Sequence, residues 1–262
     1  PQSWHLLAEA SKLAFADRNQ YMADGDFVPV PEAGLLHRDY IAKRATLIRR
    51  ETSILAPVVH GLPPGTATPK RAPDNQKGRP GTSHISIVDG SGNAVSMTTT
   101  IEGAFGSQLM VRGFLLNNEL TDFSFLPNKD GQPVANRAAP RKRPRSSMAP
   151  TIVFNADNSL RLVVGSPGGS RIIGYVAKTL VAVLDWDLDI QKAIDLGHVV
   201  NRNGATDFEA GTAAEKFVPA LKALGHKTRI RDLNSGLHGI EIVAGKLRGG
   251  ADPRREGVAR GD

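Results

Sequence analysis

The sequence predicts an α+β layered fold with antiparallel sheet. Two hairpin patterns carry the prediction, each closed by a turn rich in Gly, Asn and Asp, together with helical patterns clustered ahead of the first hairpin and directly behind the second. Trp4, Leu6, Leu7, Ala10, Leu13 and Ala14 recur at helical spacing, so residues 4–22 read as an amphipathic helix, and 39–50 as a second, shorter one. Residues 57–81 are too rich in Pro, Gly and charge to pack as an element and read as a linker. Ser83–Val88 and Ala94–Ile101 alternate as strands around Asp89-Gly90-Ser91-Gly92-Asn93. Phe114–Leu116 is a short strand leading into 117–124, followed by a loop over 125–145, a length more often functional than idle. Thr151–Phe154 and Leu160–Val164 form a second hairpin around 155–158, and Gly168-Gly169 open a helix over Ser170–Leu184. Asp189–Leu196 and Thr212–Leu224 read as helical, and Ile240–Val243 closes as a strand.

Composition narrows the chemistry. The chain has 262 residues, 40% hydrophobic and 23% charged, enough for one large or two small domains. No apolar run reaches membrane-spanning length. The chain opens at Pro1 inside a helical pattern, which implies a natural start further upstream, so the lack of a signal pattern is uninformative. With no cysteine there is no disulfide, thiolate metal site or cysteine nucleophile. The histidines are scattered without a recognisable ligand motif, so neither a metal nor any other cofactor is expected. The net charge of +7 sits largely in Arg137, Arg141, Lys142, Arg143 and Arg145. With only 5% aromatics and no nucleic-acid-binding motif, this cluster reads as a solvated basic loop or one that attracts an anionic substrate.

Two features point to acyl-transfer chemistry. Thr82 opens the first strand directly after the linker, and a cut at Gly81-Thr82 would give it both a hydroxyl and a free α-amine, a nucleophile with its own base. Counting outward from the turn, Val88 pairs with Ala94 and Thr82 with Thr100, so both hydroxyls share one face with Cβ atoms about 5 Å apart. The second feature is Gly165-Ser166-Pro167-Gly168-Gly169-Ser170-Arg171 between a strand and a helix. Its glycine N–H groups suit an oxyanion, while the spacing fits neither a dinucleotide nor a phosphate loop. Bland readings exist for both: Thr98-Thr99-Thr100 is also an ordinary β-former run, and glycines commonly make tight turns.

A series of motifs then resembles the γ-glutamyltransferase (glutathione hydrolase) family. It runs through Thr82–Asp89, Gly92-Asn93-Ala94-Val95, Phe105-Gly106-Ser107, Leu115–Glu119, Asp122-Phe123-Ser124, Lys142-Arg143-Pro144, Ser146-Ser147-Met148, Gly165–Arg171 and Ala251–Arg255. Residues 82–262 resemble the whole small subunit and 1–81 the end of the large subunit. The resemblance implies a four-layer αββα N-terminal-nucleophile hydrolase made as a self-cleaving precursor, a heterodimer of its two products, periplasmic or secreted, acting on a γ-glutamyl substrate without a cofactor. It assigns Thr82 as nucleophile, Thr100 as the threonine that orients it, and Gly168 and Gly169 as the oxyanion hole. Glu119 and Asp122 match the acidic groups that hold the substrate α-ammonium, and Ser146 and Ser147 the hydroxyls near its α-carboxylate. Glu102 stands where many members place an asparagine that contacts the head group, and the 125–145 loop is shorter than some members' lid. Those departures keep open a glutaryl-cephalosporin acylase of the same fold; a separate, non-enzymatic alternative is a processing-dead basic binding protein that never releases Thr82 and uses the Arg137–Arg145 cluster for anionic partners.

Overall fold

A computed structural model describes residues 1–66, 70–74 and 81–261. In chain order the elements are α1 (Gln2–Tyr21), α2 (Glu32–Leu35), α3 (Arg38–Ala45), β1 (Thr82–Val88), β2 (Ala94–Thr100), β3 (Met110–Val111), β4 (Phe114–Leu115), β5 (Asn128–Lys129), β6 (Gln132–Pro133), β7 (Thr151–Phe154), β8 (Leu160–Gly165), α4 (Ile172–Leu184), α5 (Ile190–Asp195), β9 (Val199–Asn201), β10 (Thr206–Glu209), α6 (Val218–Ala223), β11 (Thr228–Arg231), β12 (His238–Val243) and β13 (Lys246–Ala251). They fall into two compact units: Pro1–Gln76 with Glu119–Ser146 and Val199–Arg231, and Lys77–Asn118 with Ser147–His198 and Asp232–Asp262.

The first unit is built on α1. Trp4, Ala8, Leu13, Phe15 and Ala16 are buried, but so are Glu9, Lys12 and Asp17. These charges are tolerated because each is paired: Lys12 Nζ donates to Glu9 Oε1 at 2.7 Å, and Asp17 takes Tyr40 Oη at 2.8 Å and Arg44 Nη2 at 3.1 Å. A three-stranded sheet, β11-β10-β9, joins a parallel and an antiparallel pair. Sequence patterning does not reveal this sheet. Its strands are three or four residues long, and Asp207 is buried on β10 because Arg229 reaches it at 2.7 Å. The second helix stops at Ala45, well short of residue 50, and the segment expected as a helix over 212–224 begins as a 3-10 turn (Ala213–Phe217) before α6. The expected linker over 57–81 includes 67–69 and 75–80, which lie outside the described residues; the described stretch 57–66 forms no helix or strand.

The second unit is layered. Its four-stranded sheet, β13-β12-β8-β7, is antiparallel throughout. Leu162, Val163 and Val164 are wholly buried, as expected of a strand covered on both faces. One cover is helical: α4 packs on β8 and α5 on β12 and β13, and a side chain at Gly239 or Gly250 would meet Ile190 or Ile194. The other cover is the hairpin of β1 and β2, held by Ser86 Oγ donating to His238 O and Ser96 Oγ to Val164 O. The hairpin turns a polar face inward, Thr82, His84, Ser86, Ser96, Thr98 and Thr100, and leaves Ile85, Ile87, Val95 and Met97 exposed on its outer face. The two central layers of an αββα sandwich and one helical layer therefore lie within this unit. β13, which sequence patterning also does not reveal, extends the sheet past the expected strand at Ile240–Val243.

Candidate active site

The β1–β2 register is the one counted from the turn. The Asp89 carboxylate accepts the backbone N–H groups of Ser91 and Asn93 at 2.9 Å each, which fixes the loop length, and Thr82 then pairs with Thr100. Thr82 is buried and its Oγ1 donates to Thr100 Oγ1 at 3.0 Å. Thr100 Oγ1 also accepts from Glu102 N at 2.9 Å, and its own proton points to the Gly81 carbonyl oxygen at 3.5 Å. One hydroxyl therefore touches both the proposed nucleophile and the carbonyl of the bond that precedes it. Gly81 has a steric reason to be glycine: a Cβ there would overlap the carbonyl oxygen of Glu102.

The backbone beside this site is sharply bent. Glu102 is buried with a left-handed φ of 71°, and Asn118 braces the bend by accepting from Gly103 N at 2.8 Å and donating to Glu102 Oε2 at 2.6 Å. Sequence reasoning assigned no function to Asn118. The glycine turn follows β8: Gly168 has φ 138°, Gly169 has φ 58°, and a 3-10 turn, Gly169–Arg171, precedes α4, which begins at Ile172 and not at Ser170. A Cβ on Gly168 would lie 2.5 Å from the Tyr175 ring. Behind the hairpin, Ser86 Oγ donates to His238 O, so it accepts from His84 Nε2 at 3.0 Å, and Thr98 donates to His84 Nδ1 at 2.7 Å. Burial, with His238 nearby, lowers the His84 pKa to about 4, so its ring is neutral near pH 7. His84 leans directly on Gly165, where any side chain would collide with the imidazole.

Thr82, Thr100, Glu102, Gly168, Gly169 and Ser147 belong to the second unit; Glu119, Asp122 and Ser146 belong to the first. Glu119 and Asp122 begin and end one 3-10 turn, whose Asp122 carbonyl accepts from Asn136 Nδ2 at 2.8 Å. Asn136 also donates to Asp74 and accepts from Arg145 N, and Arg145 pairs with Asp74 at 3.1 Å with both side chains about 95% buried. Ser146 is exposed, and its carbonyl accepts from Arg18 Nη2 at 3.5 Å. Burial, and then the Arg145 charge, pull the Arg18 pKa down to about 9. This corrects part of the reading of 137–145 as a solvated basic loop: Arg137, Arg141 and Arg143 are exposed, but the other two basic residues are not. Arg145 and Lys142 are buried, Lys142 donating to the carbonyls of Ala135 and Arg137, while Arg143 clamps Asp24 and Asp26.

One group among the described residues has the composition of a metal site. His5, Glu9 and His226 are buried with ligand atoms within 4.8 Å of one another, and His5 and Glu9 stand one helical turn apart, a spacing that the sequence reading passed over. The donors are already engaged. His5 Nδ1 and His226 Nε2 share a hydrogen bond of 2.8 Å, His5 Nε2 donates to Arg49 O, and the Lys12 ammonium occupies Glu9 Oε1. A dication would have to displace that ammonium, so the group reads as a structural polar network.

The family model described as Gamma-glutamyltranspeptidase matches residues 1–261. The chain belongs to the γ-glutamyltranspeptidase family. It is 37% identical to the glutathione hydrolase proenzyme of Bacillus subtilis (strain 168), over 99% of this chain and 45% of that protein. It is 33% identical to the acylase ACY 1 proenzyme of Pseudomonas sp. (strain SE83), over 97% of this chain and 42% of that protein. The structure of γ-glutamyltranspeptidase from Pseudomonas nitroreducens complexed with L-DON superposes with a TM-score of 0.61 at 36% identity, covering 68% of this chain and 98% of that one. The fold is thus α+β with mostly antiparallel sheets, of the N-terminal-nucleophile hydrolase class. The chain spans less than half the length of the curated relatives it matches. Among the described residues no helix is long and apolar enough to cross a membrane.

Proposed function

We propose that this chain carries the catalytic end of an enzyme that transfers or hydrolyses γ-glutamyl groups of glutathione and related amides, and that it divides at Gly81-Thr82 into residues 1–81 and 82–262. The observation that carries this reading is the Thr82 hydroxyl 3.0 Å from Thr100, with Thr100 in turn directed at the Gly81 carbonyl. In the first step Thr82 Oγ adds to the Gly81 carbonyl carbon, the C–N bond breaks, and the acyl group passes to oxygen as an ester. Water hydrolyses that ester, leaving Gly81 as a carboxylate and Thr82 with a free α-amine.

The same hydroxyl then attacks the γ-carbonyl of the substrate, and its proton passes to the α-amine, whose reference pKa of about 7.7–8.0 leaves part of it neutral near pH 7. The N–H groups of Gly168 and Gly169 stabilise the tetrahedral oxyanion. The leaving amine takes the proton from the α-ammonium as the C–N bond breaks, and water or an amino acid resolves the acyl-enzyme. Glu119 and Asp122 hold the α-ammonium, Ser146 and Ser147 donate to the α-carboxylate, and Glu102 adds a third carboxylate to the head-group pocket. No cofactor enters these steps.

The proposed partners are the small-molecule substrate, the other cleavage product and a further N-terminal region. The last is supported by relatives more than twice as long and by the uncovered outer face of the hairpin, where the fourth layer of an αββα sandwich would rest. The proposed location, carried over from the family resemblance, is the periplasm or outside the cell.

A second reading, a glutaryl-cephalosporin acylase, is favoured by the acylase relative. Three carboxylates should attract an α-ammonium and repel a ligand with only a carboxylate. In the complete protein, γ-glutamyl-p-nitroanilide is expected to give the higher kcat/KM, with Glu119→Ala or Asp122→Ala narrowing its lead over glutaryl-p-nitroanilide. An equal or better glutaryl substrate would reverse the assignment. Failure to turn over either one, with Thr82 unreleased, would favour a binding protein.

A further inference from the structure

Arg255 lies in the tail after β13 and is half-buried in the second unit. The tail is anchored by Asp252, which is 1% exposed and accepts from the Ser235 hydroxyl, from Leu237 N at 2.9 Å and from both the backbone and the guanidinium of Arg254. Arg255 N caps this turn on Asp252 O at 3.3 Å. From there its side chain reaches back: Nε donates to Asn234 Oδ1 at 2.8 Å and to Ser235 O at 3.1 Å, and Nη1 donates to the carbonyl oxygen of Thr82 at 3.2 Å. Its stem lies beside Gly236, where a Cβ would sit 2.9 Å from Arg255 Cδ and 2.6 Å from Pro167, the residue before the glycine turn. Among the described residues every oxygen to which the guanidinium donates is uncharged, and none is a carboxylate.

We propose that Arg255 is a positioning residue for the nucleophile: it fixes the Thr82 carbonyl and places a permanent cation beside the α-amine that acts as base. This rests on the reading of Thr82 as the nucleophile. The amine and the carbonyl belong to one residue, so the guanidinium stands roughly 5 Å from the amine nitrogen, where a cation disfavours the ammonium form. At that distance the repulsion in water is worth about half a pH unit on the amine, and more in a partly buried site.

The remaining charged groups of the surrounding elements do not replace it. His84 on β1 and His238 on β12 are held uncharged by burial, and β2 carries no titratable group. Glu241 pairs with Arg161, and Asp252 with Arg254. Arg171 lies in the glycine turn, and Glu102, which opposes the effect, is bonded to Asn118.

The test is the pH profile of kcat/KM in the complete, processed protein, for wild type, Arg255→Gln, Arg255→Lys and Asn234→Asp. Asn234→Asp changes shape little but sets a carboxylate on Arg255 Nε. Arg255→Gln and Asn234→Asp are expected to move the acid limb up by half a pH unit or more, with most activity regained at pH 9, while Arg255→Lys keeps the wild-type limb. If Arg255→Gln does not process, Asn234→Asp alone decides. An unmoved limb, or a uniform loss at every pH, would overturn the proposal. The limb is measured with whichever anilide the wild type hydrolyses, so a wrong donor assignment leaves the test intact; a wild type that never exposes Thr82 refutes the underlying reading instead.

Discussion

Replacing Thr100 by valine removes one oxygen and almost no volume, so its effects can be worked from three hydrogen bonds. The Thr82 hydroxyl loses its acceptor at 3.0 Å, the Glu102 N–H loses its acceptor at 2.9 Å, and the Gly81 carbonyl loses its donor at 3.5 Å. The Glu102 N–H stands beside a buried side chain, and an unsatisfied buried donor costs about 1–3 kcal/mol, so Thr100→Val should melt lower but stay folded. The kinetic effect is larger. The Gly81 oxygen gains charge as Thr82 attacks, and loss of one donor to such an oxyanion typically costs about 10²–10³ in rate. Self-cleavage of the full-length precursor, followed by gel and intact mass under conditions where circular dichroism shows it folded, should therefore slow by about a hundredfold or more. Thr100→Ser should recover most of the rate, because it restores all three bonds. Cleavage of a folded Thr100→Val precursor at the wild-type rate would refute the assignment of Thr100.

Gly169→Ala keeps the backbone N–H but holds a methyl at a φ of 58°, which costs about 1–2 kcal/mol, so kcat is expected to fall far more than stability, and unchanged kinetics in a folded variant would remove the glycine turn from the site. Gly168→Ala should be the more damaging of the two to folding, because its methyl would press on Tyr175 at 2.5 Å. His226 offers a separate prediction about acid stability. Burial, with the Lys12 ammonium nearby, lowers its pKa to about 4 from the ordinary 6.5, so the stability it contributes is complete above pH 6.5 and is lost as pH falls toward 4, by about 3 kcal/mol at most. Urea midpoints at pH 7.5 and 4.5 should differ less in His226→Gln than in wild type; an identical difference would show that this histidine does not titrate as described.

What was legible in the sequence was the part set by local rules. Asp89 and Asn93 fix a five-residue turn, alternation fixes the faces, and the Thr82–Thr100 pairing follows. The glycine turn was legible for the same reason, since Gly168 and Gly169 adopt positive φ between a strand and a helix. What escaped depends on partners far away in the chain. Arg145 looks solvated beside Arg143 and Lys142 until Asp74 comes to meet it, and Asp207 hides β10 because its charge is neutralised by Arg229. His5, Glu9 and Lys12 show their spacing in α1, yet only the fold adds His226 and makes the group a closed network. Arg255 is one more charged residue in a polar tail until the fold sets its guanidinium on Thr82.

The central claim is a covalent event at one peptide bond, and intact mass of the full-length protein after incubation tests it most directly. The account predicts two chains, the smaller beginning at Thr82 with a free α-amine, and a single uncut chain for Thr82→Ala, with partial cutting for Thr82→Ser. A wild type that stays whole, a cut elsewhere, or a Thr82→Ala precursor that still divides between Gly81 and residue 82 would contradict it.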